Sequence, residues 1–245
     1  MENDIYLSVI VPVYNEDKLI KSTLLEIERF LAGQNFNYEI IVVDDGSNSK
    51  TITILKDLEA TLKNYCFVSN DRNRGKGYSV RRGMLMANGK FRLFMDADNS
   101  THIDQIVSFM PFLEGGYDVA IGDRTLERSM ILKHQPAHKK ILGNIGNIFI
   151  KMLAVPYIKD TQCGFKCFSG KFVEKVFPLL KIDRWGFDIE ILTLANKFGF
   201  KIKTVPIIWK NRKDSRVRLV DYVLTLCELF QIKINLMKKI YDSRK

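Results

Sequence analysis

Apolar residues in this chain fall in short continuous runs that alternate with stretches of helical spacing. LSVIVPVY (Leu7–Tyr14) is one such run, brief and bounded by a turn, and it predicts a strand buried on both faces. Behind it, Leu19, Ile20, Thr23, Leu24, Ile27 and Leu31 mark one face of a helix predicted over 16–30. YEIIVVDDGS (Tyr38–Ser47) gives a second strand, which stops at the turn and helix-entry signature Asp44-Asp45-Gly46-Ser47. The alternation continues with a helix over 52–62, a strand at YCFVSN, a helix over 77–87, a strand at FRLFM, a helix over 103–112 and a strand at YDVAIG.

Continuous apolar strands separated by helices predict an α/β fold with a mostly parallel central sheet covered on both faces. Past Gly122 the pattern loosens into a basic loop, a helix near 138–154, the strand-like DTQCGFKCF, helices over 170–180 and 187–198, a strand at KIKTVPIIW and a long C-terminal helix. The expected organisation is one domain over 1–216 followed by an amphipathic, basic helix over 217–245.

Open α/β sheets bind ligands beyond the carboxyl ends of their strands. Polar clusters follow the predicted strands here: Pro12 to Glu16, Asp44 to Ser47, Asn70 to Gly77, Asp96-Ala97-Asp98, and Gly122-Asp123-Arg124. Asp96 and Asp98 lie one residue apart after a buried strand, so in extended chain their carboxylates share a face. Paired carboxylates are hard oxygen ligands suited to Mg²⁺ or Mn²⁺, completed by substrate phosphates and water. Asp44 and Asp45 are placed to bond a base or ribose, or else to complement a helix N-terminus. NRGKG sets two glycines around Lys76 ahead of a helix, which permits close backbone approach to a phosphate. It has neither the spacing of a Walker loop nor that of a dinucleotide fingerprint, which weakens ATPase and dehydrogenase readings.

Composition changes the picture in three ways. No apolar run approaches a membrane span and Met1–Leu7 lacks signal-peptide character, so a cytosolic protein without a transmembrane segment is expected. The four cysteines suit neither a disulfide framework nor a zinc site, since Cys163 and Cys167 have no second pair. The formal net charge of +10 suits a polyanionic partner, whether nucleic acid, an anionic membrane surface or a phosphorylated substrate.

Taken in order, VPVYNE, VVDDGS, NRGKG and MDADNST resemble the family 2 glycosyltransferases with the GT-A fold. More narrowly, GDR, DTQCGFKCF and RWGFDIEIL resemble the polyprenyl-phosphate sugar transferases, the dolichyl-phosphate β-glucosyltransferases more closely than the mannose synthases. The resemblance covers roughly residues 7–216. It implies inverting, metal-dependent transfer of a hexose, with glucose from UDP-glucose favoured over mannose from GDP-mannose, to a polyprenyl phosphate. By motif, Pro12, Tyr14, Glu16, Val43 and Asp45 would hold the donor, together with Lys76. Asp96, Ala97 and Asp98 would form the metal and diphosphate site, with Ser100 in reach of the metal. Arg124, Arg212 and Arg216 would contact acceptor phosphate, Arg212 in a shorter loop than the mannose synthases have. Asp160 sits where a family carboxylate would orient the acceptor, and Asp98, Arg124, Asp160 and Arg216 are the candidate catalytic set. The three histidines, His102, His134 and His138, have no evident partners.

A lipid acceptor calls for membrane contact. Ile141 to Leu153 and the stripe Leu219, Val220, Val223, Leu224, Cys227, Phe230, Ile234 and Met237 are both apolar faces with basic neighbours, able to lie in the interface or to pack on the core. The group this chain resembles carries an N-terminal anchor absent from Met1–Leu7. Peripheral association with the cytoplasmic face of a membrane, or a membrane-anchoring partner protein, is therefore expected. Two other readings stay open: a GT-A enzyme with a non-lipid acceptor, and a non-catalytic nucleotide-sugar or nucleic-acid binder. No aromatic-rich basic platform for single strands is present, so no nucleic-acid partner is expected.

Overall fold

In the computed structural model, which describes residues 4–133, 158–210 and 219–242, β1 (Leu7–Val13) is buried at every position. It lies between β2 (Tyr38–Asp44) and β4 (Phe91–Met95), parallel to both. β3 (Tyr65–Ser69) adds in parallel to β2 at one edge. Beyond β4 come β7 (Phe165–Ser169), β5 (Val119–Asp123) and β8 (Ile202–Pro206), giving the sheet order β3-β2-β1-β4-β7-β5-β8. β7 runs antiparallel to both of its neighbours, with Met95 opposite Phe165 and Ile121 opposite Lys166. The sheet is thus mostly parallel, as the apolar pattern predicts, with one reversed strand. Within DTQCGFKCF only the last four residues form strand, which runs on to Ser169; the segment before them is a turn.

Side chains alternate across β1, and the two faces bury separate cores. Ile10 faces one cluster with Ile41, Val43, Phe94 and Phe168; Leu7, Val9, Val11 and Val13 face the other with Ile40, Val42 and Leu93. The second face is covered by α1 (Ile20–Ala32), α2 (Ser49–Glu59) and, after a 3-10 turn over Ile103–Ser108, α4 (Met110–Glu114). The first is covered by α3 (Lys76–Met86), α5 (Gly170–Val176), α6 (Phe187–Lys197) and α7 (Leu219–Met237). α6 is buried without a break from Phe187 to Ala195, the sign of a helix packed on all sides.

Three sequence expectations need correction. The helix expected over 103–112 is a 3-10 turn followed by a short helix, because Pro111 can start a helix but not continue one. KIKTVPIIW is two strands: after Pro206 the chain leaves the main sheet, and β9 (Ile208–Lys210) pairs in parallel with β6 (Met130–Lys133). β6 lies where the sequence reads as loop. The helix near 138–154, its apolar stripe, His134 and His138, and Arg212 and Arg216 lie outside the described residues.

Candidate functional site

The polar strand ends converge as the parallel topology requires. Pro12 pairs in register with Val43, both buried, and Tyr14 stands exposed just past β1. Asn15 takes a left-handed backbone, φ 51°; its amide donates to Ser47 Oγ at 2.8 Å and its side-chain carbonyl accepts from the Asn48 amide at 2.7 Å. The turns after β1 and β2 are thereby tied together, with Glu16 half-buried beside them. Asn48, not an aspartate, caps α2 by accepting from the Thr51 amide. Asp44 accepts from the Ser47 amide and the Ser69 hydroxyl.

Asp45 faces inward. Its carboxylate accepts from Asn70 Nδ2 at 2.9 Å and from the amides of Arg74 and Gly75 at 2.8 and 2.9 Å. This fixes the NRGKG loop. Gly75 sits at φ 110°, and a Cβ there would lie 2.3 Å from the Asp183 carbonyl oxygen, so only glycine fits. The loop delivers Lys76 to the mouth of β4, where its ammonium pairs with Asp96 Oδ1 at 2.7 Å. The same nitrogen lies 5.1 Å from the Phe94 ring centroid and 5.4 Å from that of Trp185. Burial works to lower the Lys76 pKa, but Asp96, Asp188 and Asp98 outweigh it and leave it raised.

The MDADNST turn is held from several directions. The Ala97 carbonyl accepts from Thr23 on α1 at 3.0 Å. Asn99, in a left-handed conformation, donates to Glu26, and Glu26 also bonds His102, which supplies the partner that the sequence left unidentified. Asp98 Oδ1 accepts from the Ser100 amide at 2.9 Å. Burial, and then the charge on Asp96, push the Asp98 carboxyl above its ordinary value, opposed by the Ser100 amide and side chain. Behind Asp96 stands Gly164 of DTQCGFK: a Cβ there would fall 1.8 Å from Asp96 Oδ2. Beneath, Lys166 donates to Asp188 and to the Cys163 carbonyl, both at 2.5 Å, in full burial. Burial raises the Asp188 carboxyl, against the pull of Lys166 and Lys76.

These residues suit a divalent ion. Asp96, Asp98 and Asp188 oppose the ammoniums of Lys76 and Lys166, so the pocket holds surplus negative charge, and its two outward carboxylates are hard ligands. Among the described residues no three His, Cys, Asp or Glu side chains cluster around one point. The fit is therefore to an ion such as Mg²⁺ or Mn²⁺, which takes its remaining ligands from phosphate and water, and not to a closed protein cage.

Across the pocket, Arg124 follows β5. Its amide donates to Asp160 Oδ2 at 3.0 Å, Nε to the same oxygen at 2.7 Å and a terminal nitrogen to Oδ1 at 2.7 Å. The guanidinium carbon also lies over the Trp209 ring, 5.1 Å from its centroid. Burial disfavours the Asp160 charge, but Arg124 outweighs it and holds the carboxyl below its usual range. The sequence placed Arg124 and Asp160 at the site separately; the fold makes them one bidentate pair. Trp185, Gly164 and Trp209 were given no role, and Asn70 entered only as part of the Asn70–Gly77 cluster. RWGFDIEIL and DTQCGFK stood out as motifs, but nothing in the linear order says which residue touches which carboxylate.

A model of glycosyl transferase family 2 matches residues 8–177. The chain belongs to that family. As a family 2 glycosyltransferase it is an enzyme of the GT-A fold. It is 36% identical over 227 residues to the dolichyl-phosphate beta-glucosyltransferase of Dictyostelium discoideum, covering 88% of this chain and 69% of that one. The protein of the same name from Saccharomyces cerevisiae is 30% identical over 264 residues, covering all of this chain and 79% of its relative. Among solved structures, the glucosyl-3-phosphoglycerate synthase of Mycobacterium tuberculosis with Mn²⁺, UDP-glucose and phosphoglyceric acid superposes with a TM-score of 0.69. At 16% identity, over 98% of this chain and 81% of that one, this likeness speaks for the fold alone. GT-A neighbours are thus seen with Mn²⁺, in keeping with divalent-metal use in this fold.

Proposed function

We propose that this glycosyltransferase moves glucose from UDP-glucose to the phosphate of a polyprenyl lipid, inverting the anomeric carbon, at the cytoplasmic face of a membrane. The observation that carries the reading is the run of likeness to dolichyl-phosphate glucosyltransferases along almost the whole chain, through a pocket whose charges suit a metal–diphosphate pair. Asp96 and Asp98 would hold the ion, with Ser100 setting the Asp98 carboxylate. A divalent ion there supplies charge neutralisation to the leaving diphosphate.

Lys76 adds a second positive charge on the diphosphate side. Pro12, Tyr14, Glu16, Val43 and Ala97 would line the nucleoside end, and Asp45 serves it by fixing the loop that carries Lys76. An acceptor phosphate monoester carries about −1.5 to −2 charges near neutrality, so it is already a nucleophile and needs no base. Its oxygen forms the bond to the anomeric carbon from the face opposite the departing UDP, whose bond to that carbon breaks. Arg124 would steer the acceptor phosphate, with Arg212 and Arg216 of NRKDSRV. Asp160, with both oxygens on Arg124, acts as a positioning residue.

Among the described residues no helix is long and apolar enough to cross a membrane, and peripheral attachment or a membrane-anchoring partner would bring the enzyme to its lipid. The test is transfer of labelled sugar into an organic phase from a mixture of protein, polyprenyl phosphate and Mn²⁺ or Mg²⁺. UDP-glucose, other UDP-sugars and GDP-mannose are supplied separately. Label from UDP-glucose, lost with EDTA, is the expected result. Label from GDP-mannose alone would change the donor, and label retained only on a water-soluble acceptor would refute the lipid assignment.

A further inference from the structure

α7 has two apolar faces, and the core uses one of them. Leu229 and Ile232 are buried in the cluster with α6, next to the half-buried Leu236. Asn235 donates to Tyr241 Oη, and Tyr241 donates in turn to the buried Glu190 of α6. Glu228, on the same side, accepts from the Gly186 amide at 2.7 Å. The opposite side is left open: Val220, Val223, Leu224, Phe230, Ile234 and Met237 are exposed, with Val223 at 59%, Phe230 at 53% and Met237 at 75%. Cys227 is exposed on the same stripe. An amphipathic helix on a globular protein ordinarily turns its richest apolar face inward; this one shows it to the outside.

We propose that the outward face of α7 is a docking surface for an anionic lipid bilayer. Its choice of occupant rests on the lipid-acceptor reading above, and two observations support it. The first is charge. The exposed stripe contains no acidic residue, while the two acids of the helix, Asp221 and Glu228, are seven residues apart and so share the docked side. Lys233, Lys238 and Lys239 are exposed around the stripe. A second copy meeting this face would bring like charges together, whereas anionic headgroups complement them. At 1.5 Å per residue the helix is about 28 Å long, room for its apolar side chains to enter the headgroup boundary along its whole length.

The second observation is position. Gly186, bonded to Glu228, adjoins Trp185, whose ring lies 5.4 Å from the Lys76 ammonium at Asp96. The core side of α7 is thus anchored one residue from Trp185 in the pocket wall, and a bilayer on its outer face would lie about one helix diameter, roughly 10–12 Å, beyond that contact.

The full chain is floated with vesicles of neutral phosphatidylcholine and with vesicles containing an anionic lipid. Wild type is expected to bind the anionic vesicles. Val223→Ser, Phe230→Ser and Met237→Ser combined are expected to weaken that binding at least about tenfold with an unchanged Tm, because these side chains are exposed. Lys233→Glu with Lys238→Glu is expected to remove the preference for anionic lipid. Wild-type binding by the triple variant at unchanged Tm would overturn the proposal. So would a dimer by light scattering that the triple variant loses, which would reassign the face to a second copy. Transfer to detergent-dispersed polyprenyl phosphate should be equal in wild type and triple variant. If neither transfers sugar while wild type alone binds vesicles, the docking surface is supported and the reaction assignment fails.

Discussion

Asp96 has one oxygen on Lys76 and the other against Gly164, and the first of these contacts sets a competition. An ion held by Asp96 and Asp98 would compete with the Lys76 ammonium for Asp96, and in the proposed reaction the donor diphosphate would take up that ammonium. Lys76→Met is therefore expected to bind Mn²⁺ several-fold more tightly without nucleotide, and to lose the gain that UDP gives wild type. Titration calorimetry with and without UDP checks both. Asp160→Asn is expected to cost about 3 kcal/mol or more, because it strands a largely buried guanidinium. Asp160 titrates below its ordinary value in the folded chain, so its stabilising contribution is present above the unfolded pKa and lost as pH falls through the folded one. The gap between wild type and variant in urea unfolding should thus be full at neutral pH and close below about pH 4. At this scale the sequence put the acids at the strand ends, where the structure has them, although Asp44 and Asp45 prove to brace the turn and loop around them. The partners were not legible: Gly164, Trp185 and Trp209 meet Asp96, Lys76 and Arg124 only after the sheet brings distant segments together.

Among the elements, α7 separates what spacing can and cannot say. Its apolar positions announced a helix, yet with apolar residues on both sides the spacing could not decide which face the core would take. Leu229→Ala is expected to destabilise by about 2–4 kcal/mol through loss of buried volume, while Phe230→Ser, one residue on, should change stability by no more than about 0.5 kcal/mol. Equilibrium unfolding in urea separates the two outcomes. The β8–β9 break was hidden for a different reason. Pro206 withholds an amide from the ladder, and the Ile207 amide goes instead to Ser129 Oγ, a partner supplied by a loop that reads as unstructured. The 3-10 turn over Ile103–Ser108 has the apolar spacing of a helix and differs from one only in its winding.

For the molecule as a whole, strand–helix alternation through residue 122 was enough to predict a mostly parallel sheet covered on both faces, since each buried parallel strand needs a covering crossover, while the GT-A fold was implied by the resemblance of the motifs. The place of β7 was out of reach, because orientation within a mixed sheet leaves no mark on the apolar pattern. That reversed strand also gives the chain a timetable. β1 to β4 can assemble as they leave the ribosome, each finding its neighbour among strands already made. β5 cannot: its neighbours, β7 and β8, both follow it in the sequence. Pulse-labelled hydrogen exchange during refolding should find amides of β1 and β2 protected before those of β5 and β8; simultaneous protection would argue against this order. Until β7 arrives, a growing polypeptide carries VAIGD and the open edge of β4 unpaired, sticky edges that a nascent-chain chaperone would have reason to cover.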